Sequence, residues 1–482
     1  MVPTFPVVFS FGWLSSALPL YVVLLSVVTT ISWIVYQRLL SPLARIPGPF
    51  FASVTRLWLI RRATEGKMNR VMLKLHAQHG DLVRISPNEV SVASLPAIKQ
   101  IYGAGSKFRK SDWYSVAQGH RKFDLFAERD ETIHAKQRRL VSNIYSMSGL
   151  KALEGYVDNT INVFMMKMKE MQGQSVDLGN WVQLFAVDVI GEITFSKRFG
   201  FMDTGDDGSL EAVKRAQRSL VWVGQVPTVF WINDLLSPFI GSWLALTARH
   251  GSLRQFAAKE VAARLERGGS EKDILNRLFA THKEKPEFDY NGVISMATSN
   301  IFAGTDTTAI STRAIIYNLL RNPECRRKLV EEIDHFRNQG KLSDPVRLEE
   351  ASQMPYLQAC MWEALRLHPV VGMNLPRVVP PGGTEINGVR FPAGTVVGVN
   401  PWVVQRNEDV YGEDADIFRP ERWLERETGP MHQYFFAFGA GARLCIGKNI
   451  SWMEMSKLIP TLFMRYDIQL VDPDKPLLEH CA

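Results

Sequence analysis

Phe438-Gly439-Ala440-Gly441-Ala442-Arg443-Leu444-Cys445-Ile446-Gly447 sets one cysteine among the residues a thiolate needs to serve as a metal ligand. A free cysteine titrates at a pKa of about 8.5, and a nearby cation, a metal or a helix N-terminus lowers that value, so a ligating sulfur belongs where such fields converge. Gly441 and Gly447 carry no Cβ, which lets the backbone turn tightly ahead of the sulfur and lets a flat macrocycle lie close against the chain just past it. Arg443 can reach an acidic edge of such a group. The apolar run from Ile446 to Arg465 reads as a helix whose first N–H groups face the sulfur and would tune a bound iron. Cys445 is therefore expected to be the axial ligand of a haem iron, with Phe438 at the head of the loop. A buried structural thiol is the ordinary fate of an isolated cysteine. The pattern F-x-x-G-x-R-x-C-x-G, five residues at fixed spacings, makes that the poorer reading here.

The 482 residues allow one large helical body with a small sheet as readily as several domains. An apolar content of 46% beside 22% charged residues excludes wholesale disorder. The net charge of +7 is spread along the chain, with no arginine-rich arm, no aromatic-interleaved basic run and no zinc spacing, so no nucleic acid is expected as a partner. Cys325, Cys360, Cys445 and Cys481 lie too far apart to suggest a disulfide framework, which fits a reducing, cytosol-facing compartment.

No charged side chain precedes Arg38, and Trp13 to Tyr36 is almost wholly apolar, enough for the ~20 residues that cross a bilayer core. A cleaved signal peptide would have a basic start, a shorter apolar region and a small-residue cleavage site. Residues 1–37 thus read as an uncleaved, single-pass membrane anchor. Six basic residues and one acidic residue between Arg38 and Lys67 place the flank on the cytoplasmic side. Residues 38–50, ending in Ile46-Pro47-Gly48-Pro49, read as a basic, proline-rich hinge, and residues 51–482 as the catalytic body.

Within the body, Leu82–Ser86 and Val90–Ala93 read as short strands about the turn Pro87-Asn88-Glu89. Helical pattern dominates from Glu131 to Arg337, broken at 203–208 and 281–286, and strand character returns at Thr395–Val399. The fold class is mainly α with a small β region. Phe302-Ala303-Gly304-Thr305-Asp306-Thr307-Thr308 falls inside a helical run from about Tyr290 to Leu320, closed by Asn322-Pro323-Glu324. A glycine followed by three threonines within four positions is poor helix material. A local distortion is expected there, opening a groove for dioxygen, with Asp306 and Thr307 offering a carboxylate and a hydroxyl to pass protons inward. Threonines bonding back to their own helix are the ordinary alternative.

Taken together, the cysteine loop and the A-G-x-D-T-T string resemble the cytochrome P450 family, the haem-thiolate monooxygenases. Further strings extend the resemblance. Glu363-Ala364-Leu365-Arg366, with Phe418-Arg419-Pro420-Glu421-Arg422-Trp423 some fifty residues on, is similar to the family's ExxR and PERF-type elements. The resemblance implies a buried structural network of Glu363, Arg366 and Arg422. His134 stands where the family often has tryptophan, with Arg138 four residues on. The implied role of both is to bind a haem propionate, with Arg377 and Arg443 completing the clamp by charge-assisted bonds. His134 is not expected on the iron, since Cys445 supplies that bond. The wording around His134 and Asn143–Ser148, and Tyr411–Asp416, is similar to fungal enzymes of the pisatin demethylase type.

The family implies haem b as cofactor, O2 as co-substrate, and NADPH-derived electrons from NADPH–cytochrome P450 reductase, with cytochrome b5 as a further donor the family allows. It also implies an endoplasmic reticulum anchor with a cytosolic body, and insertion of one oxygen atom into an apolar fungal metabolite such as a terpenoid, alkaloid or polyketide. Substrate contacts are expected from 114–126, from 300–303 and from 370–374. Basic side chains such as Lys448 would dock the reductase on the thiolate side. The end of the chain departs from the pattern. Family members usually continue past the segment matching Asp472–Pro476 into a final hairpin, whereas this sequence stops at Ala482. Two rival expectations stand beside the monooxygenase: a membrane-anchored haem-binding protein with little turnover, and a haem-thiolate isomerase or dehydratase, for which Asp306 and Thr307 would have no use.

Overall fold

A computed structural model describes residues 12–205, 218–240, 246–268, 272–425, 427–477 and 479; Cys481 and residues 206–208 of the break expected at 203–208 lie outside them. Helix α1 (Gly12–Val35) leads into a short π-helical end, Tyr36–Leu40. Its stretch Leu18–Leu40 has a mean hydropathy of 2.1, is not buried by the body over its most apolar part, and is long enough at about 1.5 Å per residue to cross a bilayer. The proline-rich hinge, expected to be a stiff turn, is packed against the body. Gln37, Leu43 and Ile46 are buried, and the buried Arg84 donates to the Gln37 backbone carbonyl (2.8 Å), the Gln37 side chain and the Pro87 carbonyl (2.7 Å). Trp33 adds a bond from its indole to the Val54 carbonyl at 2.8 Å. Two aliphatic side chains and a buried guanidinium thus turn the proline-rich stretch into a packed junction.

The small sheet has the order β1-β2-β7-β4-β3, built from β1 (Leu82–Ser86), β2 (Glu89–Val92), β3 (Arg109–Lys110), β4 (Arg377–Val378) and β7 (Val396–Gly398). Neighbours are antiparallel except β2 and β7, which run parallel. In register, Lys110 faces Arg377, so two cations from opposite ends of the chain share one face. A separate hairpin, β5 (Thr384–Ile386) and β6 (Val389–Phe391), turns on Asn387-Gly388.

The helical body packs around α2 (Glu131–Val141), α3 (Leu178–Phe195), α4 (Tyr290–Arg321), α5 (Pro355–Leu367) and α6 (Lys448–Arg465). Capping fixes where several of them start. Asp130 accepts from the N–H groups of Thr132 and Ile133, Asp177 from Asn180 and Asp289 from Gly292, the N-cap bonds that satisfy otherwise unpaired donors. The N-terminus of α5, opened by Pro355, is instead capped from outside, by Glu332 accepting from Tyr356 and Leu357. The 32 residues of α4 span roughly 48 Å and cross the body. One apolar cluster joins the helices, and a second backs the sheet.

Candidate haem-thiolate site

The cysteine loop is held by its own backbone. Cys445 donates its N–H to the Phe438 carbonyl at 2.9 Å, and Leu444 closes a 3-10 turn on Gly441 at 3.1 Å. Gly441 is required twice over: its φ is +60°, and a Cβ there would lie 2.0 Å from the Tyr102 carbonyl oxygen. Gly447 is different. A Cβ there would meet nothing nearer than the Cys445 sulfur at 3.8 Å, so this glycine keeps space beside the sulfur rather than permitting a fold. Helix α6 starts at Lys448, two residues past the expected Ile446, with the N–H groups of Gly447 and Lys448 directed at the sulfur.

The field on that sulfur is more finely balanced than the sequence suggests. Burial pushes the Cys445 thiol above its ordinary value; the Gly447 N–H, the Arg138 charge, the Lys448 N–H and the Lys448 charge pull it down without prevailing. Cys445 is nonetheless exposed by surface area. The accessible area measures the room for a ligand, and the surrounding protein measures the dielectric, so the two observations describe different properties. An iron bound to the sulfur would supply the remaining stabilisation of the thiolate.

The four residues expected to clamp the propionates lie close together. Arg138 donates to the Leu444 carbonyl at 2.9 Å and so braces the cysteine loop from α2. Arg443 forms a forked ion pair with Glu131 (2.9 Å), leaving its Nη1 buried without a partner. Arg377 donates to the Tyr114 hydroxyl at 3.4 Å and lies over the Tyr102 ring. His134 is 2% exposed, and burial, followed by Arg443, Lys110, Arg138 and Arg377, drives its pKa down to about 3, so it is a neutral imidazole there. Lys110 is an addition that sequence reasoning missed. It is buried, donates to the Phe126 carbonyl, lies over the Tyr114 ring and has its pKa lowered by burial and by Arg377 and Arg443. Only its cross-strand register with Arg377 reveals it, and that pairing joins segments remote in sequence. Beside the cluster is a cavity of about 30 Å³ lined in part by Tyr102, Glu131, Arg377 and Arg443.

Opposing motif residues lie on α4. The helix runs unbroken through Gly304, so the expected distortion is absent. The glycine instead admits close packing: a Cβ on it would sit 2.3 Å from Ile190 Cδ1 of α3. Thr307 donates its hydroxyl to the Ala303 carbonyl at 2.6 Å, the self-bonded arrangement typical of helical threonine. Asp306 is partly buried and contributes to holding up the charge of Arg313, which donates to Gly179 and Gln183. Thr308 pairs with Ser451 of α6 at 2.8 Å, tying the two helices together. Phe302 packs against the apolar cluster of Tyr114, Val116, Leu220, Val223 and Phe230, where the expected substrate segments 114–126 and 300–303 meet.

The residues fit a haem. An accessible cysteine at a helix N-terminus, a glycine clearing the space beside it, and an excess of buried cations with one guanidinium nitrogen unpaired together call for an iron and for carboxylates. Comparison with known proteins agrees. Residues 46–481 match the family model for Cytochrome P450. The chain belongs to the cytochrome P450 family. This P450 is 38% identical to "Cytochrome P450 monooxygenase hepC" of Aspergillus oryzae, over 91% of this chain and 90% of that one. It is 38% identical to "Cytochrome P450 monooxygenase gsfF" of Penicillium aethiopicum over 93% of each, and 35% identical to a "Pisatin demethylase" of Fusarium vanettenii over 98% of this chain and 93% of that one.

Behind the thiolate loop, the structural network of the P450 is complete and larger than the motifs imply. Glu363, Arg366 and Arg422 are fully buried. The carboxylate accepts two bonds from Arg366 and one from Arg422, all at 2.8 Å, one from the Arg419 backbone at 3.0 Å and one from the Trp423 indole at 2.9 Å. Burial alone would raise its pKa, but the two arginines overcome that and hold it low. Arg422 also pairs with Asp414 at 2.9 Å. Lys448 is not a free surface cation: it is half-buried over two aromatic rings.

Proposed function

We propose that this P450 inserts one oxygen atom from O2 into an apolar small molecule, a fungal secondary metabolite of terpenoid, alkaloid or polyketide type. Electrons come from NADPH through NADPH–cytochrome P450 reductase, at the endoplasmic reticulum membrane. The observation that carries the reading is Cys445, set at the N-terminus of α6 beneath a cluster of cations that one bound haem b would neutralise. Cys445 would hold the iron, while His134, Arg138, Arg377, Arg443 and Lys110 would hold the propionates. When bound, the haem supplies the activation of dioxygen, and the thiolate donates electron density to it.

The chain's own residues do the rest. The Phe302 cluster offers an apolar wall that would orient a greasy ligand and exclude water from it. Asp306, partly buried on the same helix, supports the charge of Arg313 and presents its carboxylate one residue before Thr307. Thr307 holds its proton on Oγ1 against the Ala303 carbonyl, and release of that bond frees the hydroxyl to donate into the site. One relative is named for a demethylation of pisatin, and oxygen insertion at a methyl carbon is a chemistry that achieves such a removal.

The test is the reduced carbon monoxide difference spectrum of the full-length protein, which should show the red-shifted thiolate band and lose it in Cys445→Ala. In membranes supplied with reductase, Thr307→Ala should retain NADPH consumption but release reduced oxygen at least about tenfold more often per product formed, in the range expected of a proton-transfer group. Unchanged coupling would remove Thr307 from the proton path.

A further inference from the structure

Lys448 is the first residue of α6, three residues past Cys445, and its ammonium is not where a docking cation would be. Its Nζ lies 5.2 Å from the Trp362 ring centroid and 5.7 Å from that of Phe438, within the ~6 Å at which a ring face attracts a cation. Among the described residues no carboxylate pairs with it. The Trp362 ring cannot swing away. It stacks on Trp423 at 5.7 Å and touches His432 (4.8 Å), Phe435 (4.7 Å) and Trp452 (4.4 Å), and the Trp452 indole is pinned to Gln358 at 2.9 Å. Phe438 is held at its backbone, because its carbonyl accepts the Cys445 N–H.

We propose that Lys448 is a positioning residue: the rings of Trp362 and Phe438 hold its ammonium beside the Cys445 loop, where its charge sets how readily the bound iron accepts an electron. A carboxylate partner would cancel the field on the sulfur. Aromatic faces hold a cation without neutralising it, which is the physical reason for rings here. The inference rests on Cys445 as the haem ligand.

The experiment is a spectroelectrochemical titration of the full-length haem protein, with no reductase present, on the parent, Lys448→Met, Lys448→Arg and Trp362→Leu. Each is first checked for the thiolate carbon monoxide band. Poised at the parent's midpoint, Lys448→Met should hold at least about threefold less reduced iron, because a positive charge in a partly screened site has been removed. Lys448→Arg, which keeps the charge and stacks on rings, should titrate with the parent. Trp362→Leu keeps the lysine but frees it, and should move in the direction of Lys448→Met by a smaller amount; it also tests the idea should Lys448→Met fail to hold haem. A Lys448→Met or Trp362→Leu protein with an intact band and the parent's titration overturns the inference, as would a lysine whose loss alters only reductase-driven turnover. Absence of the thiolate band in the parent would instead overturn the reading of Cys445.

Discussion

Glutamine at position 363 would leave the shape of the buried network nearly intact and remove its central charge. The carboxylate of Glu363 is the only one that Arg366 touches among the described residues, its other bonds going to the carbonyls of Gln405 (2.8 Å), Ala415 (2.6 Å) and Ile417 (3.4 Å). In Glu363→Gln a fully buried guanidinium keeps neutral partners only, while the new amide turns N–H groups toward donors that need an acceptor. Removing one partner of a buried pair costs about 3–5 kcal/mol. Against a total stability of about 5–15 kcal/mol, that is a large fraction. Urea unfolding followed by circular dichroism, with haem absorbance read on the same sample, should show a lower midpoint at an unchanged slope, and haem released with the fold. Arg327→Ala, which breaks an exposed pair, should leave the midpoint where it is. Glu363→Met combined with Arg366→Met should recover part of the loss, because fewer charges are then stranded. A Glu363→Gln protein destabilised by less than about 1 kcal/mol would refute the account of this network as a set of mutually dependent buried charges.

The two glycines of the cysteine loop should separate folding from cofactor binding. Gly441→Ala forces a Cβ onto the Tyr102 carbonyl in a left-handed conformation that costs about 1–2 kcal/mol by itself, and should lower the thermal midpoint. Gly447→Ala should fold like the parent by circular dichroism yet lose haem faster in a competition with an apo-globin. His134 gives a pH signature. Its folded pKa of about 3 lies below the ordinary 6.5, so below pH 6.5 the unfolded chain takes up a proton that the folded chain refuses. Stability of the haem-free protein should therefore fall as pH drops from 6.5 toward 3, by up to about 1.4 kcal/mol per pH unit from this group, and His134→Gln should flatten that slope in denaturant titrations.

Local signals carried most of the fold and little of the electrostatics. Helix α4 was legible at its end because Asn322-Pro323 closes it, and the β1–β2 hairpin because Pro87-Asn88 sits between two apolar runs. Each of these depends on residues a few positions apart. The cation cluster was legible only through family motifs, and Lys110 was lost because it joins Arg377 across a strand pair whose partners the chain does not place near each other. The sign of the Cys445 shift also could not be read: neighbouring cations were visible, but the burial opposing them is a property of the whole body. Gly304 misled for a related reason. Helix propensity argues for a break, whereas packing against Ile190 makes the same residue a point of contact between two straight helices.

The grip of Arg84 on Gln37 bears on how the body would sit were α1 to cross a bilayer. A body on a slack leash would sample every orientation above the bilayer, and its substrate would have to find the opening from water. Welded to the end of its span, with the Trp33 indole as a second rivet, the body inherits whatever tilt the span adopts. The thickness of a membrane crossed by that span would then set which flank of the enzyme lipid wets.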